Sequence, residues 1–368
     1  MDNIILVICN SSSGFFRLRK ELIHTLISDY RIIILAPATG FVYELRELGC
    51  ECIPITYDSH GINPIKEIRL IREYNKWIDK IHPSIILTYA IKPNTYAGIL
   101  SKRKGIPYIV NITGLGTAVE YKSFIQIITI ALYKRSLKRA HMVFFQNSEN
   151  LEFMRARKLL GADNYGLLPG SGVNLEEFSA APYPPEGMIQ FAFVGRVIKE
   201  KGIDQYLDAA RYYADNSKIQ FHVCGDCDES YFSMLEDLHD RGVIIYHGNV
   251  GDIEDLKRVY KSINCLVHPT YYPEGLSNVI LEASATARPI IATDRSGCRE
   301  VVDDGINGYL VPQRNSEALI RTIESFIELP YERKREMGIA ARDKVERVFD
   351  RQIVVDMYRK EIRRALDD

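Results

Sequence analysis

Two glutamates eight positions apart, Glu274 and Glu282, have the type and spacing to bind a polar ligand in this 368-residue chain. They flank Gly275, Leu276 and Ser277, and the apolar residues that follow recur with helical spacing. A glycine in such a turn lets the backbone approach a ligand closely, and the amides of Leu276 and Ser277 would face an anion at the helix N-terminus. Glu282, about two turns along the helix, could accept hydrogen bonds from ligand hydroxyl groups.

The spacing alone leaves a second interpretation open. Glu274 could be a first-turn carboxylate that favours the helix dipole, and Glu282 could be a solvated surface residue. The elements that position the two side chains therefore have to be identified.

Short apolar runs alternate with amphipathic stretches along the chain, which predicts parallel sheets covered on both faces by helices. The strands predicted in the first half are 4–9, 31–37, 51–55, 84–90, 108–113 and 142–146, with helices at 16–28 and 65–81. The strands predicted in the second half are 190–195, 219–225, 243–247, 265–269, 289–293 and 308–311. The helices predicted there are 203–215, 252–262, 276–287 and 316–328, followed by a long charged helical region, 331–368.

A polar segment with three prolines, 174–187, interrupts this alternation and is interpreted as a linker. We therefore predict an N-terminal domain at 1–175, a C-terminal domain at 188–350, and a final helix at 351–368 that packs back toward the N-terminal domain. The expected fold class is α/β, with two doubly wound Rossmann-like domains that face each other across a cleft. Ligands are expected at the carboxyl ends of the strands.

The composition, with 46% hydrophobic and 26% charged residues, excludes a disordered, collagen-like or disulfide-scaffold chain. The net charge is −1, but residues 1–180 carry +6 and the remainder carries −7. The basic half would suit an anionic surface. The N-terminus lacks the basic and apolar regions of a signal peptide, and the longest uncharged apolar run, 124–133, is about half of a membrane span, so we expect no crossing of a membrane.

Seven scattered cysteines, an odd number, favour free thiols in a reducing compartment. Cys224 and Cys227 have the spacing of half a zinc site, but no second pair of ligands accompanies them. We interpret both as small residues at a strand end and predict no metal site.

The segment from Glu274 through Gly275 and Leu276 to Glu282 resembles the paired-glutamate motif of glycosyltransferase family 4, retaining enzymes with the GT-B fold. Phe193-Val194-Gly195-Arg196, followed by Lys199-Glu200-Lys201-Gly202, resembles the Gly-Arg and Lys-Gly segment of that family. Further matches in the same order are 223–226, 293–294, 297–300 and 304–308. The resemblance thus covers almost the whole C-terminal half.

The resemblance implies roles for individual residues. Arg196 and Lys201 would hold the donor diphosphate and stabilise it as a leaving group, Glu282 would accept from ribose hydroxyls, and Glu274 would bind the transferred sugar. Glu274, Arg196 and Lys201 are therefore the predicted catalytic residues. The other donor-binding residues that the resemblance implies are Gly14, Gly195, Gly225, Val250, Gly275, Leu276 and Ser277. In place of a metal ion, the two cations and the helix amides would stabilise the diphosphate, so we expect neither metal nor cofactor.

In the N-terminal half, 89–95 and 111–117 resemble the acceptor side of bacterial enzymes that extend polyprenyl-diphosphate-linked sugars. The implied acceptor-side residues are Lys92, Asn94, Asn111 and Thr113. Many family members place a histidine at the end of this strand, where Asn111 and Thr113 stand here, so no catalytic histidine is assigned. The histidines at strand ends, His141, His222, His247 and His268, are interpreted as structural.

Gly14 follows Asn10 and three serines in what we predict to be a flexible loop between the first strand and the first helix. In the fold such a glycine would face the donor phosphates. The alternative is that the serines only cap the helix.

The stretch 121–139 is apolar around most of a predicted helix and ends in Lys134, Arg135, Lys138 and Arg139. A helix of this kind can lie in a membrane interface, and these four cations would then contact anionic lipid headgroups. The alternative is a core helix whose terminal cations favour its dipole.

Together these features predict a retaining, metal-independent glycosyltransferase of surface glycan or glycoprotein assembly. It would move a hexose or N-acetylhexosamine from a UDP-sugar to a polyprenyl-diphosphate-linked saccharide. The expected location is cytoplasmic, at the inner face of the plasma membrane, without a nucleic-acid partner. The alternatives are a UDP-sugar epimerase on the same scaffold and a non-catalytic module that binds nucleotide sugars.

Overall fold

A computed structural model describes residues 3–38, 40–57, 63–116, 119 and 124–367. The chain forms two compact units. The first consists of Met1–Gly172, Pro273–Leu276 and Arg351–Asp368, and the second of Val173–Tyr272 and Ser277–Asp350. The short segment Pro273–Leu276, which carries Glu274, thus belongs to a different unit from the residues on either side of it.

The described part of the first unit contains a sheet of seven parallel strands in the order β3-β2-β1-β4-β5-β6-β7. The strands are β1 Ile4–Ile8, β2 Arg31–Ala36, β3 Glu51–Pro54, β4 Ile85–Tyr89, β5 Tyr108–Ile112, β6 Met142–Phe145 and β7 Tyr165–Leu167. The first six were predicted. The seventh was missed because three residues are too few to show a hydrophobic pattern.

In the described ranges, six helices of this unit lie between its strands. Their bounds are α1 Ser12–Leu26, α2 Val42–Glu47, α3 Pro64–Ile81, α4 Gly98–Lys104, α5 Phe124–Leu137 and α6 Ser148–Ala156, with a π-helical turn, Pro93–Ala97, before α4. Alternate strand residues such as Ile5 and Leu6 enter separate hydrophobic cores on the two faces of the sheet. Burial on both faces explains why the strands are apolar without alternation.

The second unit, all of which is described, has a parallel sheet of six strands in the order β10-β9-β8-β11-β12-β13. The strands are β8 Ile189–Val194, β9 Ile219–Cys224, β10 Ile245–Tyr246, β11 Cys265–His268, β12 Ile290–Thr293 and β13 Gly308–Val311. The helices are α7 Ile203–Tyr212, α8 Glu229–Asp240, α9 Ile253–Ser262, α10 Asn278–Ala285, α11 Ser316–Glu328 and α12 Tyr331–Val348. Helix α8 was not predicted, and α10 begins two residues later than expected.

The long helical region predicted at the C-terminus is two helices, α12 and α13 Arg351–Asp367. At the break, the carbonyl of Phe349 accepts a hydrogen bond from Val173 N at 2.8 Å within the second unit. Helix α13 belongs to the first unit. There the guanidinium of Arg351 donates to the Glu21 carboxylate at 3.0 Å, and Tyr358 accepts from Asn111 Nδ2 at 2.6 Å.

The segment 174–187, predicted to be a linker, is an integral part of the second unit. Phe178 is buried against Tyr260, with 6.0 Å between ring centroids, and the Tyr183 hydroxyl donates to Asn264 O at 3.0 Å. The prolines had suggested a break, but they are compatible with an extended segment that packs through its aromatic residues.

Arg288, whose side chain is fully buried, holds this segment to the rest of the unit. Its Nε donates to Tyr260 O at 2.8 Å, and its Nη2 donates to Pro182 O and Lys261 O at 2.9 Å. Its Nη1 donates to Ala181 O at 3.3 Å. Burial lowers the pKa of Arg288 to about 10, so the guanidinium remains charged at neutral pH.

No helix in the described ranges is long and apolar enough to cross a membrane.

We predict that Arg288→Ala lowers the free energy of unfolding of the second unit by about 3 kcal/mol. The substitution leaves buried carbonyl groups without donors, and it opens a cavity. Chemical denaturation with circular dichroism measures the change. Arg321→Ala is the control, because that side chain is exposed and its ion pair with Glu317 contributes little. An Arg288→Ala protein as stable as the control would contradict the assignment.

Candidate functional site

Two cations of the second unit, Arg196 and Lys201, converge on one aromatic ring. The guanidinium carbon of Arg196 lies 5.4 Å from the ring centroid of Tyr272, and the Lys201 ammonium lies 5.3 Å from it. The 3₁₀ turn Lys199–Lys201 is held there because Tyr271 N donates to Glu200 O at 2.8 Å. Cation–π attraction offsets part of the repulsion between the two charges. The pair thus forms a cationic position suited to a phosphate or diphosphate group.

Close backbone approach explains the glycines around this pair. A Cβ on Gly225 would lie 1.9 Å from Gly195 O, and one on Gly202 would lie 2.1 Å from Pro269 O. Each position therefore excludes every other residue. The contacts bring the carboxyl ends of β8, β9 and β11 together beside Arg196 and Lys201.

Glu282 lies on α10 and is half-buried, not a fully solvated surface residue. Its Oε2 accepts a hydrogen bond from the Tyr260 hydroxyl at 2.8 Å. Burial, together with the charge of Glu282, raises the pKa of Tyr260 well above its ordinary value. The hydroxyl consequently stays protonated and orients the carboxylate.

The expectation that the amide of Ser277 faces an anion is wrong. Ser277 is buried, its amide donates to Gly297 O at 3.0 Å, and its hydroxyl shares a hydrogen bond of 3.0 Å with His268 Nε2. The Glu300 carboxylate in turn accepts from Gly297 N at 2.6 Å. The sequence could not show this network, because its partners come from three separate loops and strands.

Val250 lies in the loop after β10, beside an open cavity of about 360 Å³. His222 and His247 line the same cavity, stack with ring centroids 5.2 Å apart, and share a hydrogen bond of 2.9 Å. Burial, with a contribution from His247, lowers the pKa of His222 to about 4. At neutral pH His222 is therefore an uncharged structural residue.

The segment Pro273–Leu276 packs on the carboxyl edge of the sheet in the first unit. A Cβ on Gly275 would lie 2.3 Å from Thr113 O and 2.4 Å from Gln146 Oε1. Gly275 is thus required for close packing and not for an unusual backbone angle. Leu276 is buried, and a Cβ on Gly170 would lie 2.5 Å from its Cδ2.

Asn147, which sequence reasoning missed, contacts the same segment. Its Nδ2 donates to Gly275 O at 2.5 Å and to Glu274 O at 3.2 Å. The partners are more than 120 positions apart in the chain, so no local pattern could have indicated them. Tyr260 is 22 positions from Glu282 and was missed as well, whereas Tyr272 lies just before Glu274 in the sequence.

Gly14 is in the first turn of α1, not in a flexible loop. Its amide donates to the Ser11 hydroxyl at 3.1 Å, and Ser11 has the extended backbone of an N-cap residue. The capping interpretation therefore accounts for the serine next to the helix. A role of Gly14 toward phosphate stays a prediction.

The acceptor-side residues differ in exposure. Lys92 forms an ion pair of 2.7 Å with Glu67, which also accepts from the Tyr96 hydroxyl at 2.9 Å. Asn94 and Asn111 are each only 1% exposed, and Asn94 Nδ2 donates to Asn111 O at 2.8 Å. Thr113 is exposed just after β5, so among the four it has the most accessible side chain. The side chain of Asn94 thus holds the backbone of β5, and the side chain of Asn111 donates to the Tyr358 hydroxyl of α13.

Helix α5 exposes its apolar residues and its cations. Phe124 and Ile127 are 75% and 64% exposed, and Ile125 and Ile128 are exposed as well. Lys134, Arg135, Lys138 and Arg139 are all exposed at or just beyond the C-terminal end. Buried Tyr133 and Leu137 anchor the helix to the core, so the core-helix interpretation accounts only for its second half. Residues 121–123 of the predicted segment lie outside the described residues.

No group of three or more His, Cys, Asp and Glu side chains in the described residues could hold a metal ion. Cys224 is buried in β9, and burial raises its pKa to about 12, which keeps the thiol protonated.

The chain matches two protein-family models. Residues 5–147 match the model described as Glycosyl transferase 4-like, and residues 175–344 match the one described as Glycosyl transferases group 1. Together the two matches extend over nearly all of the two sheets.

Two curated bacterial proteins illustrate the sequence similarity. The N,N'-diacetylbacillosaminyl-diphospho-undecaprenol alpha-1,3-N-acetylgalactosaminyltransferase of Campylobacter jejuni is 25% identical over 346 residues, which cover 89% of this chain and 90% of that protein. The capsular polysaccharide biosynthesis glycosyltransferase CapM of Staphylococcus aureus is 30% identical over 169 residues, 44% of this chain and 42% of that protein.

Solved structures match over almost the whole chain. Sucrose-phosphate synthase from Thermosynechococcus elongatus superposes with a TM-score of 0.81 at 20% identity, covering 98% of both chains. Anabaena Alr3699/HepE, solved with UDP and glucose, superposes with a TM-score of 0.77 at 15% identity, covering 98% of this chain and 99% of that one. The predicted α/β fold class with two Rossmann-like domains is confirmed.

The family resemblance implies that Glu282 accepts hydrogen bonds from the ribose hydroxyls of the donor. We therefore predict that Tyr260→Phe weakens binding of UDP by about 3- to 10-fold, because the Glu282 carboxylate loses the hydrogen bond that orients it. The ring is retained, so the melting temperature should change little. Isothermal titration calorimetry measures the affinity. Tyr212→Phe, at an exposed position of α7, is the matched control. Equal affinities of the two variants would refute the orienting role of Tyr260.

Proposed function

Because the chain belongs to glycosyltransferase family 4 and has the GT-B fold, we propose that it transfers a hexose or N-acetylhexosamine from a UDP-sugar to a polyprenyl-diphosphate-linked saccharide, with retention of the anomeric configuration. Family membership favours transfer over the two alternatives, an epimerase and a non-catalytic module. The retaining course is part of the proposal and follows the family resemblance.

The observation that carries the proposal is the convergence of Arg196 and Lys201 on the Tyr272 ring. In the proposed reaction the bond between the anomeric carbon of the sugar and the diphosphate breaks, a bond from that carbon to an acceptor hydroxyl oxygen forms, and the hydroxyl proton passes to the diphosphate. Negative charge accumulates on UDP as it departs. Two fixed cations stabilise that charge as it develops, so the reaction needs no metal ion. Glu282, oriented by Tyr260, accepts hydrogen bonds from the ribose hydroxyls.

Glu274 is proposed to bind hydroxyls of the transferred sugar. Its backbone is held in a segment whose close packing at Gly275 leaves no room for a side chain. A carboxylate on such a rigid support can hold the sugar in one orientation, which lowers the entropic part of the barrier.

The proposed acceptor rests on the relative from Campylobacter jejuni. Its name describes an enzyme that adds N-acetylgalactosamine to a saccharide on diphospho-undecaprenol, and the similarity covers most of both chains. Exposed Thr113, at the carboxyl edge of the first unit's sheet, is the acceptor-side residue best placed to contact such a saccharide.

Helix α5 is proposed to bind the membrane that contains the lipid-linked acceptor. Exposed apolar side chains such as Phe124 and Ile127 favour burial among lipids, and the four cations of the helix end favour an anionic surface. Each cation near such a surface contributes about 1 kcal/mol. Association would be peripheral, and it would restrict the search for acceptor to two dimensions.

The first test is transfer by the purified chain from a panel of UDP-, GDP- and ADP-sugars to a polyprenyl-diphosphate-linked saccharide. We expect transfer from a UDP-sugar, unchanged by a chelator. Glu274→Ala should lower turnover at least ~100-fold while UDP still binds, because the sugar is no longer held in position.

Glu317→Ala, at an exposed position of α11, is the control for this substitution. Near-normal turnover of Glu274→Ala would refute its role, and complete loss of transfer in chelator would refute metal independence. A sugar epimer formed without acceptor would support the epimerase instead.

The second test is co-sedimentation with liposomes that contain anionic lipid. We expect the wild-type chain to bind at low salt and to be released at high salt, because the attraction is screened. Replacing Lys134, Arg135, Lys138 and Arg139 by Glu should abolish binding.

The matched control replaces Arg359, Lys360, Arg363 and Arg364 by Glu, which changes the net charge equally on α13. Circular dichroism verifies the fold of both variants. If both lose binding equally, overall charge and not helix α5 accounts for it, and the docking proposal fails.

A further inference from the structure

Asn147 lies between β6 and α6, and its side chain makes hydrogen bonds in two directions. Oδ1 accepts from Asn150 N at 2.8 Å and so caps the N-terminus of α6. Nδ2 donates to the carbonyl oxygens of Glu274 and Gly275 at 3.2 and 2.5 Å. With 2% of its surface exposed, the side chain is shielded from competing water. One amide thus links a helix to the segment that carries Glu274.

We propose that Asn147 is a positioning residue, which fixes the backbone of Glu274 and Gly275 and through it the direction of the Glu274 carboxylate. The inference rests on the role proposed above for Glu274. It adds a residue from the first unit's own sheet edge to the machinery of transfer.

The chemistry of the two bonds requires an amide. A carboxylate at position 147 could still cap α6, but its second oxygen would face two carbonyl oxygens and repel them. A serine could cap the helix too, but it is too short to make both contacts. Asparagine, aspartate and serine could each cap α6, but of the three only asparagine could also donate to the carbonyl oxygens of Glu274 and Gly275.

The segment Pro273–Leu276 is also restrained on the side that faces the end of β5. A Cβ on Gly275 would lie 2.3 Å from Thr113 O, and one on Gly114 would lie 3.1 Å from Pro273 O. Close backbone contact thus restrains the segment toward the end of β5, and Asn147 restrains it toward the end of β6. Loss of the amide releases one of the two restraints, so the carboxylate of Glu274 becomes less well oriented but is not removed.

The test compares Asn147→Asp with Asn315→Asp, because Asn315 caps α11 in the same way but is exposed. We expect Asn147→Asp to lower kcat for transfer about 10- to 100-fold, because the Glu274 carboxylate, which orients the sugar, is displaced. The dissociation constant for UDP should stay within twofold, since Arg196, Lys201 and Glu282, which are proposed to bind the diphosphate and the ribose, belong to the other unit. Asn315→Asp should leave both values unchanged.

A double-mutant cycle separates positioning from an independent effect. If Asn147 acts through Glu274, adding Asn147→Asp to Glu274→Ala should change kcat by less than twofold. A loss of the same size in both backgrounds would overturn the proposal.

Melting temperatures of all variants show whether the fold is retained. If Asn147→Asp fails to fold, Asn147→Ser keeps the helix cap and takes its place. Equal kcat for the variants of Asn147 and Asn315, in a chain whose transfer depends on Glu274, would refute the positioning role alone. A wild-type chain without transferase activity, or one indifferent to Glu274→Ala, would refute the proposed function instead.

Discussion

Close backbone packing at Gly275 is the constraint on which the conformation of the segment Pro273–Leu276, and with it the position of Glu274, depends. A glycine is required because the Thr113 carbonyl and the Gln146 side chain occupy the space of a Cβ. The chain enters this unit for only Pro273–Leu276 and then returns to the second unit. A segment so short can keep a defined conformation only if neighbouring groups fix its backbone, which Asn147 and the end of β5 do.

In the second unit, buried polar groups hold the segment 174–187 in place. Arg288 satisfies carbonyl oxygens from the 174–187 segment and from α9, and its burial is tolerated because each bond is charge-assisted. Tyr260 connects this region to Glu282, since its carbonyl accepts from Arg288 while its hydroxyl donates to the carboxylate. The orientation of Glu282 therefore depends on the same buried network that holds the 174–187 segment.

Helix α5 shows how a helix can be anchored and yet present an apolar surface. Tyr133 and Leu137 pack into the core near its C-terminal end, whereas Phe124 and Ile127 remain exposed near its N-terminal end. Its apolar residues lie around most of the helix, so burying one side against the core leaves others exposed. The polarised charge of the chain, positive in the half that contains this helix, is the basis on which binding to an anionic surface was proposed above.

The sequence by itself determined the parallel α/β architecture, because strands buried on both faces are continuously apolar, and it determined the family, because the glycines and charged residues of the motif are local in the chain. Only the tertiary structure decided what orients those residues. The amide of Ser277 is engaged by Gly297, the carboxylate of Glu282 by Tyr260, and the backbone of Glu274 by Asn147. Each of these bonds joins positions that are distant along the chain, and their geometry exists only when the strand ends and helices that carry them are assembled side by side.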